Sequence, residues 1–121
     1  MKVENIKFKA KSFLDGAWVQ GDLVHKEDGA ICILRNGFNV SEVGPSTVCQ
    51  FTGLKDCEGN EIWEADIISS PHFERVATVK WDDSLCGLKC SDVTGNINFS
   101  FTAIAHCSEW SIVGNEFDKK K

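Results

Sequence analysis

Apolar and polar residues alternate with a period of two along most of the chain, and no long window repeats apolar positions at i, i+3, i+4 and i+7. The pattern predicts an all-β fold. Strands are expected over 6–11, 17–25, 30–34, 38–43, 48–52, 62–69, 75–81, 88–93, 96–101 and 110–113, with one short helical turn over 102–107 near the C-terminus. Turn formers punctuate them: Asp15-Gly16, Asn36-Gly37, Gly44-Pro45-Ser46, Asp82-Asp83-Ser84 and Thr94-Gly95. Asn36-Gly37 between two apolar runs is the strongest hairpin signal. The first strand sends Ile6, Phe8 and Ala10 one way and Lys7, Lys9 and Lys11 the other, as expected of an edge strand that discourages unwanted pairing.

The strands around Asp22 and Asp66 share a form: Val19-Gln20-Gly21-Asp22-Leu23-Val24 and Trp63-Glu64-Ala65-Asp66-Ile67-Ile68 both run apolar, polar, small, Asp, aliphatic, aliphatic. Two architectures follow, a small barrel or two related β-units. Both aspartates are expected to bond turn backbone rather than to form a carboxylate pair for acid–base chemistry.

Composition narrows the class. A chain of 121 residues, 42% hydrophobic and 26% charged with 2 Pro, predicts one globular domain over residues 1–118 and a disordered Lys119–Lys121 tail. No apolar run reaches the roughly 18 residues of a membrane span. The opening residues alternate Lys with apolar side chains, unlike a secretory signal, so a cytoplasmic protein is expected. The net charge of −5 hides a division: +3 over residues 1–12, −11 over 13–118 and +3 in the tail. Counterion release by Lys and Arg drives most nucleic-acid affinity, so this acidic body, with Arg35 and Arg75 as its only arginines, disfavours DNA or RNA. The Lys-rich first strand is what a nucleic-acid adaptor would use.

The cysteines at 32, 49, 57, 86, 90 and 107 contain no paired CxxC knuckle, and His25, His72 and His106 lie in no metal-binding helix spacing. The nearest approach to a metal or thiol site is Cys86 and Cys90 joined by Cys107 and His106. Otherwise Cys32 and Cys49, within or beside apolar stretches, are expected to be small buried hydrophobes that stay thiols in a reducing compartment. The four Trp and eight Phe are spread over the strands and suit a packed core better than a stacking platform for bases.

The most distinctive stretch is Gly53–Asn60, where turn formers gather around Asp56 and Gly59, inside an acidic run holding Asp56, Glu58, Glu61, Glu64 and Asp66. It lacks the ligand spacing of a calcium loop. The longer run from Gln50 to Ile68 (QFTGLKDCEGNEIWEADII) resembles the QFTGLKDxxGxxIyeGDIv signature of the YopX family of phage and prophage proteins. Phe8-Lys9-Ala10, Trp18 to Val24 and Val113-Gly114-Asn115-Glu116 resemble that family's opening and closing segments. Ala65 stands where the family has Gly, Trp63 where it has Tyr, and the six cysteines are no part of the pattern. If position 65 needs a positive φ, the alanine is strained. The resemblance implies a β-rich fold and a phage or prophage origin, with expression inside a bacterial host, and it brings no catalytic residues.

The expected function is therefore a non-enzymatic interaction module without a cofactor, binding a host or phage protein or a second copy of itself. The acidic loop, through Asp56, Glu58, Glu61 and Glu64, is the candidate partner surface, since binding residues are commonly carried on loops held by a rigid scaffold. The rivals are a metal- or thiol-dependent enzyme using Cys86, Cys90, Cys107 and His106, and a nucleic-acid adaptor.

Overall fold

Eleven strands and three single 3-10 turns make up the computed structural model, which describes residues 2–71, 73–92, 98–100 and 110–118. The strands are β1 (Phe8–Lys11), β2 (Trp18–His25), β3 (Ile31–Arg35), β4 (Asn39–Glu42), β5 (Cys49–Lys55), β6 (Glu61–Trp63), β7 (Asp66–Ser70), β8 (Phe73–Asp82), β9 (Gly87–Asp92), β10 (Asn98–Ser100) and β11 (Ser111–Asn115). The 3-10 turns are Val3–Asn5, Pro45–Thr47 and Glu116–Asp118. The expected Thr94-Gly95 turn and the helical turn over 102–107 lie outside the described residues, as do His72, His106, Cys107 and the Lys119–Lys121 tail.

Two antiparallel sheets result, ordered β4-β3-β2-β1-β5-β6 and β10-β9-β8-β7-β11. Neither closes on itself through its end strands, so two-unit β architecture holds and a closed barrel does not. The chain divides into compact units at Met1–Phe51 and Thr52–Lys121, and β5 runs from one into the other.

The first unit is a meander whose turns follow local chemistry. Asp15 Oδ1 accepts the Ala17 amide at 3.0 Å, and Asp28 Oδ1 accepts that of Ala30 at 3.0 Å. Asn36 and Gly37, with φ of 56° and 80°, make the primed turn that matches strand twist. Ala10, Ile33 and Val43 form its buried centre, with Phe8, Val19, Leu23, Ile31 and Val48 packed around them. Gly21 is needed for a different reason, because a Cβ there would run into the carbonyl oxygen of Leu34.

β1 is not an edge strand: it pairs with β2 on one side and with β5 on the other. Lys9 and Lys11 on it, and Lys7 just before it, mark a sheet face. Their ammonium groups lie over aromatic rings, Lys7 at 4.7 Å from Phe51 and Lys9 and Lys11 at 4.6 and 5.3 Å from Trp18. Alternation reports which way a side chain points and is silent on how many neighbours the backbone has. Long cationic stems over rings let a central strand carry Lys at every second position.

In the second unit, Ile62, Ile68, Ala77, Val79, Cys90 and Trp110 are buried together, with Leu54, Leu88 and Ile112 against them. Burial of an aliphatic such as Ile68, fully enclosed here, is worth about 1.5–3 kcal/mol. The aromatics split between core and surface. Trp63, Trp110 and Phe51 are buried, whereas Phe13, Phe38 and Trp81 are exposed. The single strand expected over 62–69 is in fact two, β6 and β7, separated at Glu64-Ala65.

Candidate functional site

The acidic loop closes the β5–β6 hairpin, and Asp56 shapes it from within. One carboxylate oxygen, Oδ1, accepts the amides of Glu58 at 2.9 Å and Asn60 at 2.8 Å; the other, Oδ2, accepts the Asn60 side-chain amide at 3.3 Å and the Ile112 amide of β11 at 3.2 Å. The loop backbone adds Asp56 N–H to Asn60 C=O and Cys57 N–H to Trp110 C=O. Burial of Asp56, 8% exposed, opposes its ionisation, but the amides of Asn60, Ile112 and Glu58 together outweigh it and hold the carboxyl below its ordinary range.

A second device sits ten residues on. Ala65 adopts φ 76°, left-handed for a residue with a Cβ, while its N–H donates to Val79 C=O at 2.7 Å and its C=O accepts from Glu116 N–H at 2.9 Å. The strain expected if this position needed positive φ is therefore real. Asp66 follows, buried, its Oδ2 accepting the Trp63 amide at 2.7 Å and its Oδ1 the side-chain amide of Asn115 at 2.9 Å. Asn115 Oδ1 accepts the Phe117 amide at 2.8 Å. Asp66 thus bonds a turn, as its sequence predicts. Asp22 does not: it lies exposed in the middle of β2, opposite Leu34. The two similar hexapeptides have different backbones, one continuous through Gly21 and one broken at Ala65.

The four candidate carboxylates have unequal surroundings. Asp56 is turned inward, Glu61 and Glu64 are half-buried, and Glu58 stands exposed near the loop tip beside exposed Cys57. Sequence reasoning grouped them by charge and missed Asn115, Ile112 and Trp110, which anchor the loop and its flank. The only sequence signal for Asn115 was its place in the closing segment.

Of the rival thiol set, Cys86 is exposed in the β8–β9 turn with φ 52°, and Cys90 is buried in β9. Burial pushes the Cys90 thiol up to about 12, so at neutral pH it stays protonated and is poorly suited to nucleophilic attack. Cys107 and His106 lie outside the described residues, and among the described ones no group of three or more His, Cys, Asp or Glu is placed to hold a metal.

An open cleft of about 640 Å³ beside the β8–β9 turn is lined by Asp82, Ser84, Leu85, Leu88 and Lys89 among others. Its charges face each other, Lys89 Nζ lying 2.9 Å from Asp82 Oδ2. The Ser84 hydroxyl, then Lys89, hold the Asp82 carboxyl far below the usual carboxylate range.

Two open antiparallel sheets, with a signature whose aspartates bond backbone amides and a neighbouring strand, define a β-rich protein whose most distinctive residues build its turns. The chain belongs to the YopX family, whose description reads YopX protein and whose match covers residues 7–120. No curated protein matches the chain at a significant level. No helix among the described residues is long and apolar enough to cross a membrane.

Proposed function

We propose that the protein is a non-enzymatic interaction module of phage or prophage origin, acting in the cytoplasm of a bacterial host and presenting the β5–β6 loop to a protein partner. The observation that carries this reading is the bonding of Asp56. Four donors from Glu58, Asn60 and Ile112 fix the loop, so Glu58 is presented on a pre-shaped tip. Pre-organisation of this kind lowers the ordering cost of binding. The aspartates of the signature are occupied in holding structure, which suits a scaffold better than acid–base catalysis. A basic partner surface complements the acidic tip.

The test is a pull-down from bacterial lysate with the wild-type chain and Glu58→Gln as baits. Loss of specific partners with Glu58→Gln supports the loop as the contact surface. Identical partner sets from both baits would remove the loop from the proposal. Glu58 is the residue to change, because altering Asp56 would disturb the loop's shape along with its charge.

A further inference from the structure

We infer that the outer edge of β4 is a self-association surface, on which a second copy of this chain adds its own β4 in antiparallel register about Val40. The surface lies in the first unit, away in sequence from the β5–β6 loop, and the inference does not rest on that loop's role.

Among the described residues β4 ends its sheet and pairs with β3 alone. The Val43 amide donates to Ile31 C=O at 3.0 Å, which sets the alternation. Asn39 and Ser41 turn their backbone groups toward β3, and Val40 and Glu42 turn theirs away. Glu42 C=O is already taken, accepting the Phe13 amide at 3.0 Å where the β1–β2 turn comes alongside and Ser12 bridges to Val43. The N–H and C=O of Val40 and the N–H of Glu42 are left pointing outward with no bond from the described residues.

Val40 is the one apolar residue of this stretch, and the turns that flank it carry more exposed apolar side chains. Leu14 is 96% exposed, Phe38 76%, Phe13 62% and Val40 55%. Lys and Pro, which commonly blunt such an edge, are absent from β4; the Glu42 charge and the β1–β2 turn protect its C-terminal end and leave Val40 open. A second copy satisfies the edge by symmetry. A two-fold axis at Val40 lets each Val40 N–H donate to the other's C=O, sets Asn39 opposite Ser41 of the second copy, and sets Glu42 opposite its Phe38. No like charges then face each other, and the exposed Val40 of each copy meets the other's. An interface that is its own complement in hydrogen bonding is the isologous kind.

Sedimentation equilibrium of the full chain is the test. The wild type is expected to rise with concentration toward twice the 13.4 kDa chain mass. Val40→Lys, which brings two ammonium groups face to face at an exposed position, should weaken the dimer about tenfold or more. Glu58→Gln should leave it unchanged, so the loop proposal and this one fail separately. Hydrogen exchange gives a reading that needs no variant. The Val40 and Glu42 amides should be protected in concentrated solution and lose protection on dilution, while Ser41 stays protected throughout. A wild type still monomeric at about 0.5 mM, far weaker than even a loose specific dimer, overturns the inference. So does a Val40→Lys dimer of unchanged affinity, or a Val40 amide protected only when a foreign extended peptide is added.

Discussion

The turns led by Asp56 and by Asp82 use the same device to different ends. In each, one carboxylate oxygen collects nearby amides, Glu58 and Asn60 in the first, Ser84 and Leu85 in the second. The other oxygen separates them. Asp56 Oδ2 reaches the Ile112 amide, 56 positions along the chain, whereas Asp82 Oδ2 meets Lys89 across its own hairpin. Asp56 is buried and Asp82 is not. An aspartate that only rounds a corner can be replaced by water, while one that also fastens a distant strand holds tertiary structure. The YopX signature falls on the second kind.

Changing Asp56 should have the largest effect. Asp56→Ala leaves the amides of Glu58, Asn60 and Ile112 without their acceptor, and a cost of about 2–4 kcal/mol is expected in urea unfolding of the second unit. Acid should reproduce part of it. The folded carboxyl titrates below its ordinary value, so its contribution is complete above the unfolded-state pKa and is lost as pH falls through the folded one. The difference between wild type and Asp56→Ala should therefore narrow below about pH 4. A constant difference across that window would mean that the carboxylate's charge does not matter to the fold.

Ala65→Gly is the next test and should act in the opposite direction. The left-handed backbone at position 65 strains a Cβ, and glycine relieves it at some cost in unfolded-state entropy, for a net gain of about 0.5–1 kcal/mol. The same substitution at Ala77, buried in the middle of β8, should destabilise. Equal losses at both positions would show that the bend at Ala65 carries no strain.

How far these features could be read beforehand depended on whether their cause was local. Asn36-Gly37 and Asp15-Gly16 were legible because turn geometry is set by the residues in the turn. The break at Glu64-Ala65 was hidden, since alanine carries no mark of a left-handed backbone; only the glycine at that place in the family pattern hinted at it. The lysines of β1 report the face but not the neighbours, so alternation alone cannot tell this central strand from an edge. Within the loop, Asp56 was recognised as a turn residue, yet its charge was read as outward because its bond to Ile112 depends on where β11 lies. The pairing of Asp66 with Asn115, 49 positions apart, was invisible for the same reason.

Asp82→Ala should show the smallest effect, and it tests the comparison hardest. Counted by bonds, Asp82 is no poorer than Asp56, with the Ser84 amide and hydroxyl, the Leu85 amide and the Lys89 ammonium all directed at it. If bond number set stability, the two substitutions would cost the same. Ser84 and Leu85 are exposed, as Glu58 and Asn60 are, so water can take over such turn donors; the buried carboxylate and its bond to the half-buried Ile112 set Asp56 apart. The ion pair with Lys89 is reached by solvent and screened by salt. The urea midpoint of Asp82→Ala should therefore stay close to wild type, and what difference remains should shrink as ionic strength is raised toward about 1 M. A loss as large as that of Asp56→Ala, unmoved by salt, would show that the β8–β9 turn holds more than its own corner, and that a long-range tie is not what separates the two aspartates.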